Sequence, residues 1–223
     1  MKIRLGELRK IIREATEVGK DLAAVVDETS NGFKATVYDP VKLEDLVLDS
    51  PAILSDGPAG LKGCIVGRVH IVKPAGPCWG AMKVASIAGP GALMYGIGYA
   101  LSPSGLLISE REPEAMTTAS ISAWRRMAAK NDRGKKELDS LYPPHRTPST
   151  EDDCELRPEE FLNYAYEAKG GEAALLQSMQ DEHERLVKRL TSGGDLSRLH
   201  IELAISSAGF AYFQAQYRTA LKM

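Results

Sequence analysis

Twelve consecutive residues carry the clearest chemical signal in the chain: Val84-Ala85-Ser86-Ile87-Ala88-Gly89-Pro90-Gly91-Ala92-Leu93-Met94-Tyr95. An apolar, strand-like run enters a Gly-Pro-Gly turn, which opens into an apolar, helix-like run from Ala92 to Leu101. A strand that stops at a glycine turn and feeds a helix leaves the first backbone N–H groups of that helix unpaired. Together with the helix dipole they form a place for an anion, typically a phosphate. Pro90 subtracts one donor, because proline has no N–H. The pattern therefore predicts a site for a phosphorylated cofactor.

Other reactive side chains are sparse. Glu110 follows the short apolar run Leu106-Leu107-Ile108-Ser109 and is the best carboxylate placed to act as a base. Tyr95 and Tyr99 lie on the helix behind the turn. Cys64, Cys78 and Cys154 are too few and too scattered for a disulfide framework, and an odd count fits a reducing compartment. Cys64 and Cys78 read as buried structural thiols. Cys154 follows Asp152-Asp153, whose charges make it a poor nucleophile. The acids from Glu151 to Glu155 lack the spacing of a calcium loop, and no Cys-x-x-Cys or paired histidine suggests zinc, so no metal is expected. Arg125, Arg126, Lys130, Arg133, Lys135 and Lys136 form a basic run that reads as a solvated face or a phosphate contact.

The elements that must position these groups follow from the rest of the chain. Its 223 residues, 26% charged and 43% hydrophobic, allow one large domain, or a medium domain with an appendage. The formal net charge of −2 disfavours nucleic acid as a partner. There is no secretory apolar run near the start and no membrane-length apolar run, so a cytoplasmic setting without membrane contact is expected. Residues 1–20 read as an amphipathic helix with Ile3, Leu5, Leu8, Ile11 and Ile12 on one stripe. Such a helix docks on its own domain or on a protein partner, and self-docking is favoured. A core over 30–140 holds strands at 33–38, 64–72, 79–87 and 106–109, with helices behind the glycine turn and over 115–129. A loop or linker spans 141–157. Residues 158–223 read as a helical C-terminal extension, with Asp195 capping a final helix that carries Phe210, Tyr212, Phe213 and Tyr217. These aromatics are expected in the core.

The order strand, strand, strand, glycine turn, helix, strand, helix is similar to the GNAT acyltransferase fold. Ser86-Ile87-Ala88-Gly89-Pro90-Gly91 occupies the frame of that family's pyrophosphate-binding turn, Gln/Arg-x-x-Gly-x-Gly/Ala, with Ser86 and Pro90 as departures. The chain resembles more closely a set of phage-encoded GNAT-like proteins. That likeness rests on Leu5–Glu14, Cys78-Trp79-Gly80-Ala81, Gly91–Tyr95, Gly105–Arg111, Ala123-Trp124, Asp152-Asp153-Cys154 and Leu162–Tyr166. Gly96 and Glu110 depart from the pattern of that set.

The resemblance implies an α/β (α+β) fold, with a mixed central sheet flanked by helices. It also implies an acyl-CoA-dependent N-acyltransferase that takes acetyl-CoA and an amine acceptor. Val84, Ala85, Ser86, Gly89, Gly91, Ala92 and Leu93 would hold the CoA thioester, and Glu110 and Tyr95 would be the catalytic residues, Glu110 as base unless it serves as a salt-bridge partner of Arg111 or as a helix-capping carboxylate. The family's usual acid, a tyrosine on the helix after the last core strand, has no counterpart, because 117–129 contains Trp124 and no tyrosine. The competing reading is a non-catalytic GNAT-like phage structural or host-interaction protein, acting through its terminal helices in the host cytoplasm or in a virion.

Overall fold

The computed structural model describes residues 22–55, 59–110, 116–130, 134–142, 147–194 and 196–220. The amphipathic segment expected over residues 1–20 and the expected cap Asp195 lie outside them. Residues 22–110 begin with a hairpin. Ala23–Thr29 (β1) and Gly32–Tyr38 (β2) pair antiparallel across Ser30-Asn31, from Ala23↔Tyr38 to Thr29↔Gly32. The Asn31-Gly32 turn was legible in the sequence; the strand on its other side was not.

Helix α1 (Pro40–Asp49) starts cleanly, with Pro40 in its first turn and the Asp39 carboxylate accepting from the Val41 and Lys42 N–H groups at 3.1 Å. Strands β3 (Ile65–Val72) and β4 (Met82–Ala88) continue the antiparallel meander. Helix α2 (Gly91–Leu101) leads to β5 (Leu106–Ile108), which runs parallel to β4. Helix α3 (Thr118–Ala129) follows, capped by Thr117, whose hydroxyl accepts from the Ser120 N–H at 3.2 Å.

The chain then departs from expectation. The charge run contains an edge strand, β6 (Lys135–Glu137). The stretch expected as a linker shares a two-stranded parallel sheet, β7 (Asp139–Ser140) with β8 (Asp153–Cys154). Residues 158–223 are not all a helical extension: Tyr164–Glu167 forms β9, inserted between β5 and β6. The main sheet is thus seven-stranded and mixed, in the order β1-β2-β3-β4-β5-β9-β6. The alternating pattern Tyr164-Ala165-Tyr166 is short, and Pro158 six residues earlier read as a helix start. Pro158 instead precedes a single helical turn at Glu160–Leu162.

Helices α4 (Glu172–Thr191) and α5 (Arg198–Ala220) complete the fold. The α4 stripe Leu176, Met179, His183, Leu186 and Val187 is buried at helical spacing.

Two layers cover the sheet. On one face, Val69 and Ile71 pack with Met94 and Ile97 of α2, and Trp124 of α3 lies edge-on to Tyr95 at 5.4 Å. Gly67 lets α2 approach closely, since a Cβ there would stand 2.5 Å from the Met94 sulfur. On the other face, Ala23 and Val25 pack with Leu43 and Val47 of α1 and with Ile201, Ile205 and Ala208 of α5. Arg68 also points to this face, where its guanidinium donates to the Ser206 carbonyl at 3.3 Å and lies 5.3 Å from the Phe210 ring centre. An ionic contact joins the last two helices, Arg198 to Glu184, and Arg198 also pairs with Glu202 on its own helix at 2.7 Å.

A third cluster packs Cys78, Ala81, Leu106, Ile108, Leu138, Cys154 and Ala165 together. At its centre Cys78 and Cys154 form a disulfide with a Cα–Cα distance of 4.9 Å. This corrects the expectation of unpaired thiols and removes the cysteine argument for a reducing compartment. The two sulfurs come from positions 76 residues apart, which spacing alone could not pair. Cys64 is the free cysteine, and burial pushes its thiol up to about 11. No helix of the described residues is long and apolar enough to cross a membrane.

Candidate functional site

Strand β4 has two unlike edges. Toward β3 it is paired along its length, from Val72↔Lys83 to Arg68↔Ala88. Ala85 is the one extra residue, because Ile71 faces Val84 while His70 faces Ser86, so a bulge sits there. Toward β5 only Met82↔Leu107 and Lys83↔Ile108 pair. Beyond Lys83 the pairing stops although the chain runs on through Ser109 and Glu110, and among the described residues that edge of β4 from Val84 to Ala88 has no strand partner. A cavity lies between this edge and Glu110.

The glycine turn lies at one end of this open edge. Gly89 has φ +106, and a Cβ there would lie 2.6 Å from the Val66 carbonyl, so only glycine fits. Pro90 is the residue before the helix, and its carbonyl accepts from the Met94 N–H at 3.0 Å. No side chain caps α2. Among the described residues nothing accepts from the N–H groups of Gly91, Ala92 and Leu93, the free donors of the first turn. The space beside Gly91 is open, with no atom within 4 Å of a Cβ built there.

Three cavities with shared walls run along this line. The first, about 280 Å³, lies beside Gly91 and Ala92 and is lined by Arg126, Lys130 and Lys169. The second, about 380 Å³, extends past Gly89 to Ile87, with Tyr95 and Ser120 on one wall and Phe213 and Tyr217 on another. The third, about 270 Å³, follows Val84, Ala85 and Ser86 to Glu110. The first two share Gly91, Tyr95, Ala123 and Arg126; the last two share Ile87, Thr117, Ser120, Phe213 and Tyr217. Together they make one groove, with cations and free amides at one end and a mostly uncharged chamber at the other.

The expected site residues are only partly united. Val84, Ala85, Ser86, Gly89, Gly91 and Ala92 all line the groove. Leu93 turns its side chain toward the main core, so only its N–H serves the turn. Tyr95 lines the middle and the cationic end, and burial raises its pKa, keeping the phenol protonated. Its hydroxyl sits near Ser120 and makes no hydrogen bond of ordinary geometry. Glu110 lines the far chamber, is 8% exposed, and is held by the Lys83 ammonium at 3.0 Å. Tyr95 and Glu110 share no cavity.

Several groove residues were missed in the sequence. Lys169 comes from the loop before α4, without any motif. Phe213 and Tyr217 were expected in the core, yet they stack on each other at 5.8 Å and line the groove. Of the basic run, Arg126 and Lys130 enter the groove. Arg125, Lys135 and Lys136 instead lie over the rings of Phe161, Tyr164 and Trp79 at 5.3, 4.6 and 5.1 Å. His70 sits across from Ser86, and its pKa is lowered by burial and by Lys34 and Arg68, with Glu110 opposing. Among the described residues, no group of His, Cys, Asp or Glu could hold a metal ion.

This arrangement suits an elongated ligand, phosphorylated at one end and uncharged at the other. Phosphate oxygens would accept from the Gly91, Ala92 and Leu93 amides and pair with Arg126, Lys130 and Lys169. The body of the ligand would lie along the open edge of β4 and take up its unpaired backbone groups, as an added strand would. No family model, curated protein or solved structure matches the chain.

Proposed function

We propose that the protein is an acyl-CoA-dependent N-acyltransferase of the GNAT type, acting on an amine. The observation that carries this reading is the parallel pair β4/β5, joined through the glycine turn and α2 and unpaired beyond two residue pairs. The open edge of β4 lies beside a helix start with three free amides and three cations. The pyrophosphate of acetyl-CoA fits the turn, and the pantetheine arm fits the open edge of β4. The bulge at Ala85 frees backbone there, which suits a donor to the thioester carbonyl as charge builds on its oxygen.

The amine would attack the thioester directly, with its nitrogen bonding to the carbonyl carbon and its proton passing to a base as the thiolate leaves. Glu110 is the carboxylate nearest that end of the groove, and Lys83 holds it in place. Tyr95 is a protonated donor in the middle of the groove, suited to the arm of the ligand, and it lines the cavity next to that of Glu110. Most of the rate would come from positioning.

A second reading is favoured by the pairing of Glu110 with Lys83 and its separation from Tyr95: a protein that binds the thioester and no longer turns it over. Thiol release from acetyl-CoA with a panel of primary amines separates the two. Release with any amine, lost in Gly91→Asp, supports the transferase. CoA binding without release supports the second reading.

A further inference from the structure

The far chamber of the groove differs from its cationic end. Val84, Ala85 and Ile87, with Ser86 among them, form one wall; Phe213 and Tyr217 form another, and Ser120 lies between the two. Glu110 is the one charged residue among its lining residues, and Lys83 already neutralises it. The Thr117 hydroxyl is engaged as the cap of α3. An ammonium placed here would lose water and find no unpaired carboxylate, a cost that an uncharged aliphatic group does not carry.

The ring-bearing helix is anchored just upstream of the chamber. Arg68 binds the Ser206 carbonyl, and the Ser206 hydroxyl donates to Asp27 at 2.8 Å. Gly209 lies so close to Thr36 that an added Cβ would meet its side chain within 2.4 Å. From this anchor α5 continues by one turn to Phe213 and by two to Tyr217, so the rings are held at the chamber by the packing of the helix. A chamber of about 270 Å³ is far larger than an acetyl group needs. A short acyl group would leave its walls without contacts, which forfeits dispersion and apolar burial.

Resting on the acyl-CoA reading above, we propose that this chamber receives an uncharged aliphatic acyl group longer than acetyl, with Phe213 and Tyr217 as the residues that set the preference. Its natural thioester would then be a medium-chain acyl-CoA, with the acyl chain lying between the β4 wall and the two rings.

Calorimetric titration of the full chain with CoA, acetyl-CoA and hexanoyl-CoA tests this without knowledge of the acceptor. Hexanoyl-CoA is expected to bind at least about tenfold more tightly than acetyl-CoA, since each added methylene gains from burial. In Phe213→Ala and Tyr217→Ala that ratio, read against the affinity of each variant for CoA itself, should fall to about threefold or less. Equal binding of the two thioesters, with CoA binding intact, overturns the chain-length proposal and leaves the acyl-CoA reading standing. An undiminished preference in both variants removes the rings from the proposal. No binding of CoA at all overturns the reading beneath it.

Discussion

The two edges of β4 have opposite tasks. Its β3 edge is closed: pairing is continuous apart from Ala85, and glycines at 67 and 89 bring α2 and the turn close against the sheet. Its β5 edge is open after Lys83, and the glycine beside it, Gly91, faces empty space. The same residue type thus serves closeness on one side and access on the other. What differs is whether backbone donors are spent on the fold or kept for a ligand. The closed edge carries stability, and the open one is where the proposed ligand would lie.

Substitutions can break or sharpen that contrast. The largest effect is expected where β4 begins. Cys78→Ser in the Cys78–Cys154 pair should cost about 4 kcal/mol in denaturant melts, because the link closes a long loop. At the closed edge, Gly89→Ala should cost about 3 kcal/mol, from a positive φ and the clash with Val66. Gly91→Ala, by contrast, should lie within about 0.5 kcal/mol of wild type in the same melts. Equal losses at 89 and 91 would erase the distinction between the edges.

On the open side, Gly91→Asp should leave the melting curve unchanged and weaken CoA binding about a hundredfold, by setting a carboxylate against the phosphates. Arg126→Ala should weaken CoA binding about tenfold, and the gap between it and wild type should shrink as salt is raised.

The smallest effect concerns pH. The folded His70 has a lowered pKa, so the unfolded chain binds more protons in the window just below the ordinary histidine value. Stability should therefore fall as pH drops from neutrality through that window, and His70→Gln should flatten the slope. A steeper slope in the variant would contradict the assignment.

The strand–turn–helix at the centre was legible because its signals are local: β-branched residues, then Gly-Pro-Gly, then an unbroken apolar run. The hairpin partner β1 gives no local signal, because Ala23-Ala24-Val25-Val26 is short and shows no alternation. β9 was hidden because a strand buried between β5 and β6 takes its partners from segments about 30 and 60 residues earlier, and local pattern does not report them. The disulfide and the cationic end were illegible for the same reason. Arg126 and Lys169 meet only once α3 and the β9–α4 loop are folded onto α2. Phe213 and Tyr217 look like core residues in a helix whose aromatics, Phe210, Tyr212, Phe213 and Tyr217, fall on more than one face. Only the position of α5 across the sheet reveals that they face a groove.

The measurement that bears most directly on the open edge is calorimetric titration of the full chain with CoA, run side by side on wild type and Gly91→Asp. Wild type is predicted to bind with a Kd on the order of micromolar, about −8 kcal/mol, and the variant to lose that heat while keeping its melting temperature. No heat from wild type at millimolar CoA, or the same affinity in both proteins, would contradict the assignment of the turn and the open edge of β4 as a ligand site.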